Sequence, residues 1–379
     1  MGPNEIPSPL PKTMRALVHE SKEKPMAVQQ IPTPEAIPGT VVVKVLAAQV
    51  DANLPRILNG EQGFPIPQPF TPGARSIGRV AAIGQDTTAL KIGQLVMIEP
   101  MFCARDEPGN KALFGAYSGV NEATQAWFDK NWRHAAYAEY TRTPLENTWA
   151  LNEKVLCHRF GYTFAELSHL TVDLVAFGGL RGIHVEAGET VIVGPASGVY
   201  SGAGVDTALA LGANVVAVGR NETVLKRIQS VFGADRVQIV PLTNDLDTDK
   251  TALLEHGRAD CFIDMGPPIP IQSSYNTACA SVLRDGGRIS IMGGMGQPFP
   301  VSPMEMLLRN LTIKGQFMYE PCDVRAMIRL VEAGRLKLGK AAGHTTRGNF
   351  KLDEVETAFD YARRNKSHGD IIVLEPWRL

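Results

Sequence analysis

The chain is poor in cysteine. Its 379 residues hold five, Cys103, Cys157, Cys261, Cys279 and Cys322, and no two have C-x-x-C spacing. That spread excludes a disulfide framework and the paired-cysteine zinc and redox motifs, leaving thiols that serve as small core residues. An excess of either charge is also missing, with 38 Lys+Arg against 39 Asp+Glu, so there is no basic footprint for nucleic acid. No apolar run approaches the ~20 residues of a membrane span, and the best, residues 41–50, is broken by Lys44. Residues 1–11 lack the basic start and apolar centre of a signal peptide. They are rich in proline and polar residues, which reads as a flexible arm on a soluble, cytoplasmic protein with no membrane partner. Internal repeats and low-complexity tracts are absent.

What is present is enough chain for two domains at roughly 150 residues each. From residue 12 to about 152 the text reads as short apolar strands between Pro/Gly turns, at 14–19, 40–48, 78–84 and 94–98, as in a small barrel or folded sheet. Residues 100–133 are polar and turn-rich, and read as a long irregular surface lobe. After residue 156 strands alternate with helical segments, the pattern of βαβ units and a parallel sheet. Strands are expected at 190–194, 214–219, 237–240, 261–264 and 288–293. Helices are expected at 202–212, 223–232 and 274–284. Strands at 311–316 and 371–374, around helices at 324–333 and 352–365, read as a return to the first domain.

The first βα turn reads Gly194-Pro-Ala-Ser-Gly198-Val-Tyr-Ser-Gly202. A strand feeding a glycine turn into a helix start presents free amides and a positive dipole end to a pyrophosphate. The strict G-x-G-x-x-G string is missing: Pro195 stands at the tight-turn glycine and Ser201 at the helix-packing glycine, while Gly198 keeps the close backbone approach. The turn therefore reads either as a nucleotide loop, built from Gly194, Ser197, Gly198, Val199 and Tyr200, or as a plain βα turn. The second strand ends Gly219-Arg220-Asn221. A carboxylate there would hold an NAD ribose, whereas a small residue followed by Arg accommodates a 2′-phosphate. NADPH is the cofactor expected, with Lys226 and Arg227 as further cations nearby; a solvated arginine is the other reading.

Several stretches together resemble the medium-chain dehydrogenase/reductase superfamily: Val45-Leu-Ala-Ala-Gln-Val-Asp-Ala-Asn-Leu54, Pro72-Gly-Ala-Arg-Ser-Ile-Gly-Arg-Val-Ala-Ala-Ile-Gly84, Tyr137-Ala-Glu-Tyr140, Gly188-Glu-Thr-Val-Ile-Val193, Asp285-Gly-Gly-Arg-Ile-Ser-Ile-Met-Gly293 and Phe350-Lys-Leu-Asp-Glu-Val-Glu-Thr-Ala-Phe359. The resemblance covers nearly the whole chain. It implies an α/β protein with a GroES-like β-rich catalytic domain at 1–158 (irregular lobe 100–135), a doubly wound parallel Rossmann domain at 159–316, a C-terminal return at 317–379, and a substrate cleft between domains. The family's zinc alcohol dehydrogenases carry a catalytic Cys after the second strand and a Gly-His-Glu further on; this chain has Val50-Asp51 and Gly73-Ala-Arg75 there. The structural-zinc lobe would need four close cysteines and finds only Cys103. The resemblance thus implies no metal, and points to the zinc-free quinone and enoyl reductases, in which hydride passes to the β-carbon of an enone.

On that resemblance Asp51 is a proton relay or substrate acceptor, with a turn carboxylate as the plain alternative. Asn53 orients a carbonyl. Arg75 stabilises an enolate or pairs with Asp51, and His134 sits on a substrate-side loop or is structural. Tyr137 reads as core and Tyr200 as a cover for the cofactor, while Met292, Gly293, Phe317 and Met318 approach the nicotinamide. Val175 stands where relatives have a threonine hydroxyl. Loops at 59–70, 100–133 and 295–304, rich in Pro, Phe and Met, suggest a small apolar metabolite. The expected function is a zinc-independent NADPH-dependent oxidoreductase acting on an activated C=C or a carbonyl. The alternative is a fold whose redox chemistry is lost, leaving an isomerase, a cyclase or a binding protein. The resemblance also implies a homodimer, through a sheet edge near residues 288–292.

Overall fold

A computed structural model describes residues 5–267, 274–294 and 301–378. The chain forms two compact units, one comprising Met1–Thr171, Thr346–Asn365 and Ile371–Leu379, the other Val172–Thr345 and Lys366–Asp370. The architecture is α/β, a GroES-like β-rich unit and a Rossmann-like parallel-sheet unit. No helix among the described residues is long and apolar enough to cross a membrane.

The first unit is organised by Thr40–Gln49, a β-branched run buried along its whole length. It pairs antiparallel with Ser76–Ile83, Tyr140–Pro144 and the C-terminal strand Asp370–Leu374. Lys44 in its middle is fully buried; its Nζ donates to the Glu5 carbonyl at 2.8 Å and lies 4.2 Å from the Trp377 ring centre. Ile6 and Leu10 pack on Met14, Ala16, Val42 and Tyr140. The described part of the N-terminal stretch is thus docked rather than a flexible arm, because it covers apolar surface and satisfies a buried ammonium.

The region at 100–133 is likewise not an irregular surface lobe. Met101–Cys103 and Lys111–Leu113 form a hairpin, and Glu122–Asn131 is a helix capped by Asn121, whose side chain accepts from the Thr124 amide at 2.8 Å. Phe102 stacks on Phe114 at 4.5 Å and meets Trp132 edge-on at 5.3 Å, and these rings join Phe128, Val41, Val43 and Ile98 in one core. Spaced aromatics, invisible to a periodicity reading, give the lobe its own interior.

In the second unit the parallel sheet runs Val237–Pro241, Asn214–Gly219, Thr190–Gly194, Ala259–Asp264, Leu283–Ile291, Thr312–Gly315. Numbered by chain order this is 3-2-1-4-5-6, the doubly wound arrangement that reverses between the first and fourth strands. Two expectations change here. Residues 311–316 do not return to the first unit: Thr312–Gly315 pairs with Leu283–Ile291, Arg288 opposite Thr312, which gives this short, mostly exposed strand its backbone partners. Residues 288–292 are consequently not at the sheet edge. Helix Pro321–Glu332 also lies in this unit, so the return begins at Thr346 and is interrupted by Lys366–Asp370.

Two tests follow from the buried groups. Phe102→Ala should cost about 3–5 kcal/mol in chemical denaturation, whereas a loss under 1 kcal/mol would mean the lobe has no packed interior. Asp173, in helix Leu170–Gly182, is fully buried; burial and the Asp206 charge push its carboxyl well above the usual carboxylate range. A raised carboxyl favours folding below its ordinary pKa, and that contribution is lost as pH rises through the folded value. Asp173→Asn should therefore improve Tm, relative to the parent, more at pH ~8 than at pH ~4; a pH-independent difference would contradict the assignment.

Candidate functional site

The first strand of the parallel sheet ends at Gly194, where a side chain would be crowded: a Cβ there would lie 3.0 Å from Val218 and 3.2 Å from Phe262. The Gly194–Pro195 peptide is cis. The helix starts earlier than the sequence suggested, at Val199 rather than residue 202, because Gly198 takes the N-cap position with extended backbone. No side chain caps this start. The first intrahelical bond runs from the Gly202 amide to the Gly198 carbonyl at 2.8 Å, so the amides before it have no partner within the helix, and a helix start of this kind can receive an anion. Val199 and Tyr200 pack partly on Val172, Ala176 and Ala203, which gives Tyr200 a packing role. Ser201 is buried and tolerated at the helix-packing position.

Gly219 ends the neighbouring strand within reach of Ser197; a Cβ on it would lie 3.5 Å from the Ser197 Oγ. Arg220 follows, exposed, and makes no ion pair among the described residues. The other cations expected here are engaged: Lys226 pairs with Glu222 at 2.7 Å, and Arg227 donates to the His368 carbonyl. Asn221 is also occupied, its side chain accepting from the Val224 amide at 3.2 Å to cap helix Glu222–Phe232. Arg220 is thus the cation left for a phosphate at this strand end.

Across the reversal point Asp264 stands in register with Gly194. Its backbone oxygen receives the amides of Met292 and Gly293 at 2.9 and 3.0 Å. Its side chain accepts from the Gly266 amide at 3.1 Å and from the Tyr275 hydroxyl. Burial pushes the Asp264 carboxyl up, against those two bonds. Gln316 donates to the Ile291 carbonyl at 3.0 Å, which brings Phe317 and Met318 to the same C-terminal edge. Met318 holds a left-handed φ of 58° and Phe317 is exposed. The expected loop, nicotinamide-side and strand-end residues therefore share one edge of one sheet.

In the first unit Asp51 and Arg75 come together, Nη1 to Oδ2 at 3.4 Å, both half-buried. Asp51 Oδ1 also accepts the Asn53 amide at 2.8 Å, closing the turn into helix Leu54–Leu58. The turn reading of Asp51 is thus met, and the same carboxylate forms the expected pair with Arg75. Tyr137 is core: fully buried, its hydroxyl donates to the Gln49 carbonyl at 3.0 Å, and burial drives its pKa up. His134 is not joined to the pair by any hydrogen bond among the described residues. Its Nδ1 lies 3.0 Å from the Thr71 hydroxyl, and burial, then Arg133, pushes its pKa down. Asn53 is exposed at the helix start. Phe64 meets Tyr117 at 4.9 Å and Ser118 bonds the Pro65 carbonyl, linking the 59–70 loop to the lobe. Residues 295–300 of the third expected substrate loop lie outside the described residues.

The positions that the resemblance reserves for catalytic zinc do not fit the ion. Arg75 is a cation without an acceptor and takes Asp51 as its partner. Cys103 lies on the lobe hairpin. Sequence reasoning missed Asp173, Asp206, Asp264, His344 and His368, all buried. The available signal was an acid inside an otherwise uncharged helical run, as in Val205-Asp206-Thr207.

Two family models match, the alcohol dehydrogenase GroES-like domain over residues 37–153 and the zinc-binding dehydrogenase over 202–333. An alcohol dehydrogenase of Moraxella sp. is 22% identical over 359 residues, 94% of this chain and 98% of its own. An L-threonine 3-dehydrogenase of Symbiobacterium thermophilum is 28% identical over 344 residues, 86% of this chain and 90% of its own. A thermostable alcohol dehydrogenase from Pyrobaculum aerophilum superposes with a TM-score of 0.71 at 20% identity, covering 96% of this chain and all of that one; this last likeness speaks for the fold alone. The two matched domains, in this order and on this topology, make the chain a member of the medium-chain dehydrogenase/reductase superfamily of oxidoreductases.

Proposed function

We propose that the chain is a zinc-independent, NADPH-dependent oxidoreductase that delivers hydride to an activated C=C, in an enone or quinone, or to a carbonyl of a small apolar metabolite. The observation that carries this reading is Arg75. A guanidinium is a permanently charged donor to oxygen and cannot ligate a metal, and it stands, paired with Asp51, where a zinc-ligating imidazole would be required. Simple alcohol oxidation would there lose its electrophile.

Bound NADPH supplies the hydride. On the protein side, the uncapped start of helix Val199–Ala210 and Gly198 take the pyrophosphate, and Arg220 takes the 2′-phosphate. Arg75 donates to the substrate oxygen, on which negative charge grows as the carbon accepts hydride. Asp51 fixes the guanidinium and, being partly exposed to solvent, passes on from water the proton that completes the reduction. His134 is held by the Thr71 hydroxyl, and these steps do not call on it.

The reading is tested by titration: the protein should blue-shift or quench NADPH fluorescence at micromolar concentration, and absence of binding up to millimolar would overturn it. Arg220→Ala should weaken NADPH by about tenfold or more, through loss of a charge-assisted phosphate contact, with NADH changed less than about twofold. Equal weakening of both would remove the 2′-phosphate assignment.

A further inference from the structure

Five residues of the C-terminal stretch, Lys366–Asp370, belong to the second unit and run along the glycine loop. Ser367 forms an antiparallel bridge with Gly198, and the His368 amide donates to the Ser197 carbonyl at 3.0 Å. The His368 side chain, 1% exposed, turns onto helix Val199–Ala210, where its Nε2 lies 3.1 and 2.9 Å from the two oxygens of Asp206. His344 Nε2 shares the second oxygen at 3.2 Å. Arg227, from helix Glu222–Phe232, holds the His368 carbonyl.

Two glycines make room for this cluster. A Cβ on Gly202 would sit 2.8 Å from His368 Cβ and Cδ2, and one on Gly369, at φ +69°, would sit 2.6 Å from His344 Cδ2. Burial opposes a charge on Asp206, yet the charges of His368 and His344 and their hydrogen bonds prevail and hold its carboxyl below the usual carboxylate range. A buried carboxylate shared by two imidazoles is a stiff tie, because every alternative leaves a polar group buried without a partner.

We infer that Asp206 and His368, with His344 behind them, are positioning residues for the nucleotide loop: they clamp Lys366–Asp370 against Ser197–Gly198 and so hold the phosphate-binding amides. The loop needs such a brace because Pro195 and Ser201 replace two of the glycines that shape the usual turn. Fixing the loop in advance lowers the ordering cost of binding. The effect on cofactor affinity rests on the NADPH reading; the clamp itself does not.

The test joins two measurements on Asp206→Ala, with His368→Ala as a second variant that takes the imidazole out of the tie and leaves the Asp206 carboxylate to His344. Hydrogen exchange of the protein without cofactor should quicken by about tenfold in peptides covering residues 196–202 and 366–370, with the strand Asn214–Gly219 unchanged. Titration should show NADPH weakened by about tenfold and adenosine 2′-monophosphate, which has no pyrophosphate, by less than about twofold. Unchanged exchange in both peptides, or exchange raised across the whole unit in both variants, overturns the clamp. Parent protein that fails to bind NADPH overturns the cofactor reading instead, and the exchange result still decides the clamp. Equal loss of both ligands would show general damage and overturns the positioning role.

Discussion

Strands Thr190–Gly194 and Ala259–Asp264 lie side by side, and from them the chain winds in opposite directions across the parallel sheet. The second unit depends on this reversal, because it puts Gly194 and Asp264 opposite each other at the C-terminal edge, where a doubly wound sheet receives ligands. From Gly194 the chain turns directly into an uncapped helix; from Asp264 the backbone collects the Met292 and Gly293 amides. Gly219-Arg220 arrives at the same edge because Asn214–Gly219 pairs in parallel with Thr190–Gly194. Sheet order alone thus gathers the loop, the strand-end cation and the Met292–Gly293 segment.

The first unit solves a different problem. Its central strand is buried on both faces yet carries Lys44, whose ammonium meets the Glu5 carbonyl and the Trp377 ring. A second cation, Arg75, is paired with Asp51 at the place where the proposed chemistry would need a donor to oxygen. In this account the change from imidazole to guanidinium replaces Lewis-acid polarisation by hydrogen bonding and charge.

The strands were legible because β-branched runs such as Thr190–Gly194 and Asn214–Gly219 are uninterrupted. The α/β class and the βαβ loop followed from them. The lobe's core was not legible, since Phe102, Phe114, Phe128 and Trp132 meet only in three dimensions. The sixth strand was misassigned because a four-residue run, Thr312–Gly315, does not reveal its partner. In the sites, the resemblance singled out Asp51 and Arg75, which the fold brings into one ion pair, and the strand end singled out Arg220. Asp206, His344 and His368 were not, because they come from segments far apart in sequence and make sense only as one hydrogen-bonded group.

The central claim is hydride delivery without a metal. The direct measurement is turnover of 4-deuterated NADPH, both C4 epimers, with a panel of enones and quinones, using protein dialysed against a chelator and checked for metal. The account predicts deuterium transferred to a product carbon by metal-free protein at an undiminished rate. Activity that vanishes on dialysis and returns only with added zinc would contradict it.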